Sequence, residues 1–313
     1  MAGGKEMRAI YAETLIKLAE KDERIVVLEA DLMKSTGTNI FRERFPHRAF
    51  NVGVAEANMI GLAAGLSASG KIPFPATFGC FAARRTFDQF FISANYARLN
   101  VKLTGTDPGI TAALNGGTHM PFEDTGLMRC IPGLTVFEPS DGVSLAGLLE
   151  QGAYHPGCTY MRLHRKEVPV IYPAGETFEL GKAKVLMEGS DLSIIACGSV
   201  CLQESLRAAD TLRKEGITVR LLDMHTVKPA DREAVIACAA DTGAILTVEN
   251  HQVIGGLGSA VAEILVENRP VPMKRVGIRD EFGEVGTQEY LAERFGLTAE
   301  NILRQARELL KKK

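Results

Sequence analysis

Glu56 is the single carboxylate in FNVGVAEANMIGLAAGLSASG (50–70), a stretch otherwise almost wholly small or apolar. One reading places it in the first turn of a helix, half exposed and facing the positive end of the helix dipole. The other places it in an apolar pocket, where desolvation can raise a carboxyl pKa by up to about 3 to 5 units. A carboxyl of that second kind holds or shares a proton near neutral pH. Downstream, Phe78 and Phe81 lie in PFPATFGCFAARRTFDQFF (73–91), just after a predicted strand. There they can wall a flat-ring pocket or simply join the core. A long Gly-containing loop (104–134) then carries Asp107, Asn115, His119 and Glu123, and loops of that length inside compact domains are usually functional. His119 follows Gly116, Gly117 and Thr118 and precedes Met120 and Pro121, a poor setting for a packed core histidine.

Short β-branched runs alternate with helical patterns through this region. Strands are predicted at 25–32, 48–54, 71–78, 100–107, 133–141 and 159–165, with helices near 6–21, 56–69, 84–97 and 142–153. That alternation predicts a mostly parallel sheet with helices on both faces, its site beyond the carboxyl ends of the strands. Residues 167–190 carry prolines, glycines and charges without helical period and read as a linker with a short strand or two. A second α/β series follows: strands DLSIIACGS, ITVRLLDMHTVKP, GAILTVEN and VPMKRVGIRD, and helices near 202–215, 231–240 and 257–268. TAENILRQARELLKKK closes it, with a Thr298 cap and a basic last turn. The expected organisation is α/β in two domains, 1–166 and 191–313, joined by 167–190. On the helix predicted from Glu56, Ala57, Gly61, Ala64, Gly65 and Ala68 form a small-residue stripe that lets another helix approach closely.

The 313 residues, 46% hydrophobic and 24% charged with net charge −2, suit a globular protein. So neutral a balance gives no electrostatic reason to expect nucleic acid or an anionic membrane as partner. The six cysteines form no CxxC pair and no metal-ligand spacing; they are expected to be buried free thiols of a reducing cytoplasm. Charges scattered through the first 25 residues do not suit a signal peptide, and no apolar run reaches the roughly 20 residues of a membrane span.

In order and spacing over nearly the whole chain, several landmarks resemble the C-terminal half of a transketolase, its pyrimidine-binding and C-terminal domains. They are EADLMKS (29–35), FNVGVAEANMIGLAAGLS, TFGCF (77–81), GGTHMPFEDTGLMRCIPGLTVFEPSD (116–141) and, further on, CGSV, GITVRLLDMHTVKPAD, VENH and GGLGSAVAEIL. The resemblance implies thiamine diphosphate as cofactor, with Glu56 bonding its aminopyrimidine. A proton shared with the pyrimidine nitrogen favours the imino tautomer, whose neighbouring nitrogen deprotonates the thiazolium carbon and frees the nucleophile. It also implies that Phe78 and Phe81 pack around the pyrimidine and that Asp31 lies near the cofactor. Arg84 stands in the same cofactor-binding stretch, where relatives often have tyrosine. His119 falls on a substrate-contacting position, and Arg8, Ser35 and Arg165 on positions that bind the sugar phosphate.

The chain also departs from the pattern. Asp107 replaces a histidine and Leu114-Asn115 an acidic pair, so both Asp107 and Asn115 face a substrate other than the common pentose phosphates. There is no GDG with a downstream asparagine, the family's signature for magnesium and the diphosphate. The expectation is a split enzyme: a separate N-terminal diphosphate-binding subunit supplies the Mg2+ ligands, none of which lie on this chain, in a heterotetramer of two copies of each subunit. GGLG (255–258) is expected to be a turn into a helix, and His225 and His251 to be structural with nothing clustered around them. A 2-oxo-acid dehydrogenase β subunit would carry an HSQ-type loop in place of THMPFED, and a deoxyxylulose-phosphate synthase half would carry RYPRG where this chain has LHRKEVP. A non-catalytic assembly partner would have no need of Glu56 or His119.

Overall fold

The computed structural model describes residues 5–313. Its strands are β1 (Ile25–Glu29), β2 (Ala49–Asn51), β3 (Ile72–Phe78), β4 (Lys102–Thr106), β5 (Thr135–Phe137), β6 (Thr159–Leu163), β7 (Lys184–Met187), β8 (Leu192–Cys197), β9 (Val219–Asp223), β10 (Thr226–Lys228), β11 (Ile245–Gln252) and β12 (Met273–Ile278). The first sheet has the order β10-β5-β6-β4-β3-β1-β2 and the second β12-β11-β8-β9-β7. Strand pairing is parallel except at β10 against β5 and β7 against β9. The near-continuous apolar runs follow from this, because β1, β4, β6 and β8 are buried on both faces.

One predicted strand divides. ITVRLLDMHTVKP becomes β9, inside the second sheet, and β10, which crosses to form an edge of the first. Asp223, Met224 and His225 make the crossing buried. Helices cover both faces of each sheet, and four apolar clusters form the cores. One of them mixes Ile110, Met120 and Phe122 of the long loop with Leu246, Ile278 and Phe295 of the second sheet and its helices. Phe122 and Phe295 meet edge to face at 5.3 Å. The loop on which His119 sits is thus anchored in the core of the C-terminal half.

Two local expectations need correcting. The helix predicted at 84–97 begins earlier, at Gly79–Arg84, and continues through a turn at Phe87–Gln89 into a π-helix at Phe90–Tyr96. Thr86 Oγ1 donating back to the Ala82 carbonyl interrupts it. Cys130 is exposed, whereas the other five cysteines are buried as expected.

Candidate active site

Five predicted site residues lie at or beyond the carboxyl end of a strand of the first sheet: Asp31 after β1, Glu56 after β2, Phe78 closing β3, Asp107 after β4 and Arg165 after β6. Successive parallel strands therefore deliver them to one edge. Glu56 opens the helix Glu56–Ala68 and is only 4% exposed, so the half-exposed reading fails. Its Oε1 accepts a hydrogen bond from Arg85 Nη1 at 2.9 Å, and the same guanidinium lies 3.9 Å from the centre of the Phe81 ring. Phe78 and Phe81 stand 6.0 Å apart, and His119 meets both rings edge on, at 6.0 and 5.3 Å. Thr118 Oγ1 lies 2.9 Å from His119 Nδ1, which leaves Nε2 for another partner.

A second group converges on Ser35. Arg8 and Arg165 each direct Nη1 at the Ser35 carbonyl, at 3.5 and 3.4 Å, and the Arg8 backbone N–H bonds the Arg165 carbonyl at 3.1 Å. Arg165 also lies over Phe78, 5.1 Å from the ring centre, which joins this cationic end to the aromatic one. Gly37 allows the approach: at φ +85° a Cβ there would sit 2.7 Å from the Arg8 carbonyl oxygen. Asp31 and Ser35 line a cleft of ≈ 560 Å³ with Arg42 and Asn51. Asn51 accepts from the Asp31 and Gly53 N–H groups, at 3.0 and 3.1 Å, so it ties the ends of β1 and β2 together just ahead of Glu56.

Three more of the predicted residues are placed as follows. Asp107 is buried and pairs with Arg165 at 2.6 Å. Burial pushes its carboxyl pKa up, with Arg165 opposing. Arg84 is committed elsewhere: it pairs with Glu123 and donates to the Thr118 and Met120 carbonyls, both at 3.2 Å, clamping the loop that carries His119. Asn115 is exposed at the end of the 3₁₀ segment Gly109–Asn115, and no hydrogen bond joins it to the cluster.

The Transketolase pyrimidine binding domain model matches residues 4–170 and the Transketolase C-terminal domain model residues 181–302. The chain belongs to the transketolase family. It is 53% identical to the 6-deoxy-6-sulfo-D-fructose transketolase subunit SqwH of Clostridium sp. (strain MSTE9), over 98% of this chain and 95% of that one. It is 35% identical to the transketolase of Rattus norvegicus over 97% of this chain but 49% of that protein. Among solved structures, a split gene transketolase described as an inactive beta4 tetramer superposes with TM-score 0.91 at 43% identity, covering 99% of both chains. The match is to a transketolase C-terminal subunit.

The sequence does not single out several residues that hold this site. Glu29, the first residue of EADLMKS, is buried beneath the Ser35 turn and accepts from Thr36 and Thr38 hydroxyls at 2.5 and 2.6 Å. Burial outweighs those bonds and pushes its pKa up to about 8. The neutral form therefore favours the fold fully below the unfolded-state pKa, and that contribution is lost as pH rises through about 8. The Glu29→Gln chain is expected to lose less thermal stability than wild type between pH 6 and 9, as scanning calorimetry would show; parallel losses would contradict this.

His251 is structural but not isolated. Its Nε2 accepts from the Gly126 N–H at 3.2 Å, and Glu249 lies 3.8 Å from Nδ1. Glu249 in turn accepts from the Leu257 and Gly258 N–H groups, at 2.7 and 2.9 Å. GGLG is thus a turn into a helix whose N-terminus an internal carboxylate already fills. His225 is buried, its pKa pushed down to about 4 by that burial. Among the described residues no group of His, Cys, Asp and Glu is arranged to hold a metal.

A strap from the C-terminal half rests on the His119 loop. A Cβ on Gly117 would lie 2.0 Å from the Gly283 carbonyl oxygen, and one on Gly283 would lie 2.6 Å from Met120 Sδ. Strap and loop line a pocket of ≈ 870 Å³ with Arg84 and Phe282. Gly117→Ala is expected to push the loop and His119 off position and lower turnover about 100-fold. Steady-state rates on enzyme shown by gel filtration to be assembled would check this.

Proposed function

We propose that this chain is the pyrimidine-side subunit of a two-chain transketolase, transferring a two-carbon ketol unit between anionic sugars. Thiamine diphosphate and Mg2+ are shared with an N-terminal diphosphate-binding subunit. The observation that carries this reading is the buried Glu56, linked through Arg85 to Phe81 and so to Phe78 and His119, and continuous through Arg165 with the Arg8–Ser35 group. These residues fit the aminopyrimidine half of the cofactor: a buried carboxylate faces a ring surface that already accommodates a flat N–H donor. When bound, thiamine diphosphate supplies a carbon nucleophile and an electron sink for cleavage beside a ketose carbonyl.

This chain's residues then divide the remaining work. Glu56 holds a proton at the pyrimidine nitrogen, and Phe78 and Phe81 exclude water from the ring. His119, its Nδ1 fixed by Thr118, offers Nε2 to the hydroxyls around the reacting carbonyl. Arg8 and Arg165 grip the anionic end of the sugar, with Asp107 aiming Arg165.

Self-association within a heterotetramer would use the stripe on Glu56–Ala68, of which Gly61, Gly65 and Ala68 are exposed, Ala57 is half-buried and Ala64 is buried; a Cβ on either glycine would meet nothing within 4 Å. No helix among the described residues is long and apolar enough to cross a membrane.

The substrate class is open to direct test. The relative at 53% identity is named for 6-deoxy-6-sulfo-D-fructose, whose sulfonate offers guanidinium groups three oxygens as a phosphate does. The assembled enzyme would be assayed with fructose 6-phosphate, 6-deoxy-6-sulfo-D-fructose and fructose as donors. One of the anionic donors is expected to exceed fructose at least 100-fold in kcat/KM, about 3 kcal/mol of charge-assisted binding. Equal use of fructose would overturn the anion-end assignment.

A further inference from the structure

Arg84 and Arg85 are neighbours with different tasks. Arg84 clamps the His119 loop, whereas Arg85 turns toward Glu56. Its guanidinium donates from Nη1 to Glu56 Oε1 at 2.9 Å while lying 3.9 Å from the Phe81 ring centre. A guanidinium is flat, delocalised and edged with N–H donors, and it stacks on aromatic faces. An aminopyrimidine that shares a proton with Glu56 and packs on Phe81 presents the same two features to the same two groups.

We propose that Arg85 is a placeholder in the cofactor site: it occupies the aminopyrimidine's carboxylate and stacking surface until thiamine diphosphate displaces it. This rests on the cofactor reading above. The two partners differ in freedom, since the Arg85 side chain is 49% exposed and the Glu56 side chain 5%. Glu56 is fixed at the start of a long helix, while Arg85 sits just past the end of the six-residue helix Gly79–Arg84, free to swing into solvent. The exchange spares Glu56 a spell as a buried carboxylate without a donor, a costly state. It also means that cofactor binds only the fraction of sites from which Arg85 has withdrawn, which weakens apparent affinity by that fraction.

The test is a calorimetric titration of thiamine diphosphate, with Mg2+ present, into the complex of this chain and its diphosphate-binding partner. Arg85→Ala is expected to bind about five- to tenfold more tightly than wild type. An equal or weaker Kd overturns the placeholder alone, whereas no binding by the wild-type complex overturns the cofactor reading and the placeholder with it. Should the variant fail to assemble, wild-type complex is labelled with phenylglyoxal and Arg85 modification is read by peptide mass spectrometry. Cofactor is expected to speed that modification several-fold; an unchanged or slower rate overturns the proposal.

Discussion

Glu56→Gln in the assembled enzyme is expected to lower kcat about 1,000-fold, within the range that positioned proton transfer supplies, while the complex still forms. The expectation turns on comparing two costs. The structural cost is small, because glutamine removes the buried charge itself and so strands no unpaired carboxylate. Glutamine also keeps an oxygen for Arg85 to donate to. The catalytic cost is about 4 kcal/mol, because an amide cannot share a proton with the pyrimidine nitrogen. Turnover, melting temperature and gel filtration together separate these costs. A Glu56→Gln enzyme with more than a tenth of wild-type turnover would contradict the assigned role.

Arg162→Leu is expected to destabilise the chain by about 3 to 5 kcal/mol, the usual cost of stranding buried charges by removing their partner. Arg162 is 3% exposed. Its Nε donates to Asp124 at 2.8 Å, Nη1 to Glu138, and Nη2 to the Asn250 carbonyl at 3.0 Å. One guanidinium thus joins β6, the helix after the His119 loop, the end of β5 and β11 of the second sheet. Asn250 in turn bonds the loop at Ile110 N–H and the Pro108 carbonyl, at 3.0 and 2.9 Å. Losing the arginine therefore loosens the contact between the halves as well as burying unpaired carboxylates.

Burial already pushes the Glu138 pKa up, with Arg162 as the chief opposing influence. Without that cation Glu138 would rise further and take up a proton as pH falls, so the deficit in Arg162→Leu should shrink toward acid. Urea unfolding midpoints at pH 5 and 8 would check this; a variant as stable as wild type at pH 8 would contradict it.

What was legible in the sequence was local. The parallel sheets follow from β-branched runs at short spacing, and the delivery of Asp31, Glu56, Phe78, Asp107 and Arg165 to one edge follows from the parallel order of the strands. What was not legible depends on distant pairings. The Arg162 bonds span 24, 38 and 88 residues, and nothing in MRLHRK marks one arginine as buried and the other as facing a site. Likewise β10 continues β9 without a turn signal, and its antiparallel partner β5 lies far upstream. The Arg84–Arg85 pair shows the same at finer grain: adjacent residues point apart, Arg84 to the His119 loop and Arg85 to Glu56, and nothing in AARRT tells them apart. Nor does the sequence show that Asp107 pairs with Arg165, which lies in another strand's loop.

In the proposed function this chain carries half of an active site. The direct measurement is thiamine diphosphate-dependent ketol transfer by the purified chain, alone and after mixing with a diphosphate-binding subunit that carries GDG and a downstream asparagine. No transfer by the chain alone and robust transfer by the mixture is the predicted result. Robust turnover by the chain alone would contradict the account.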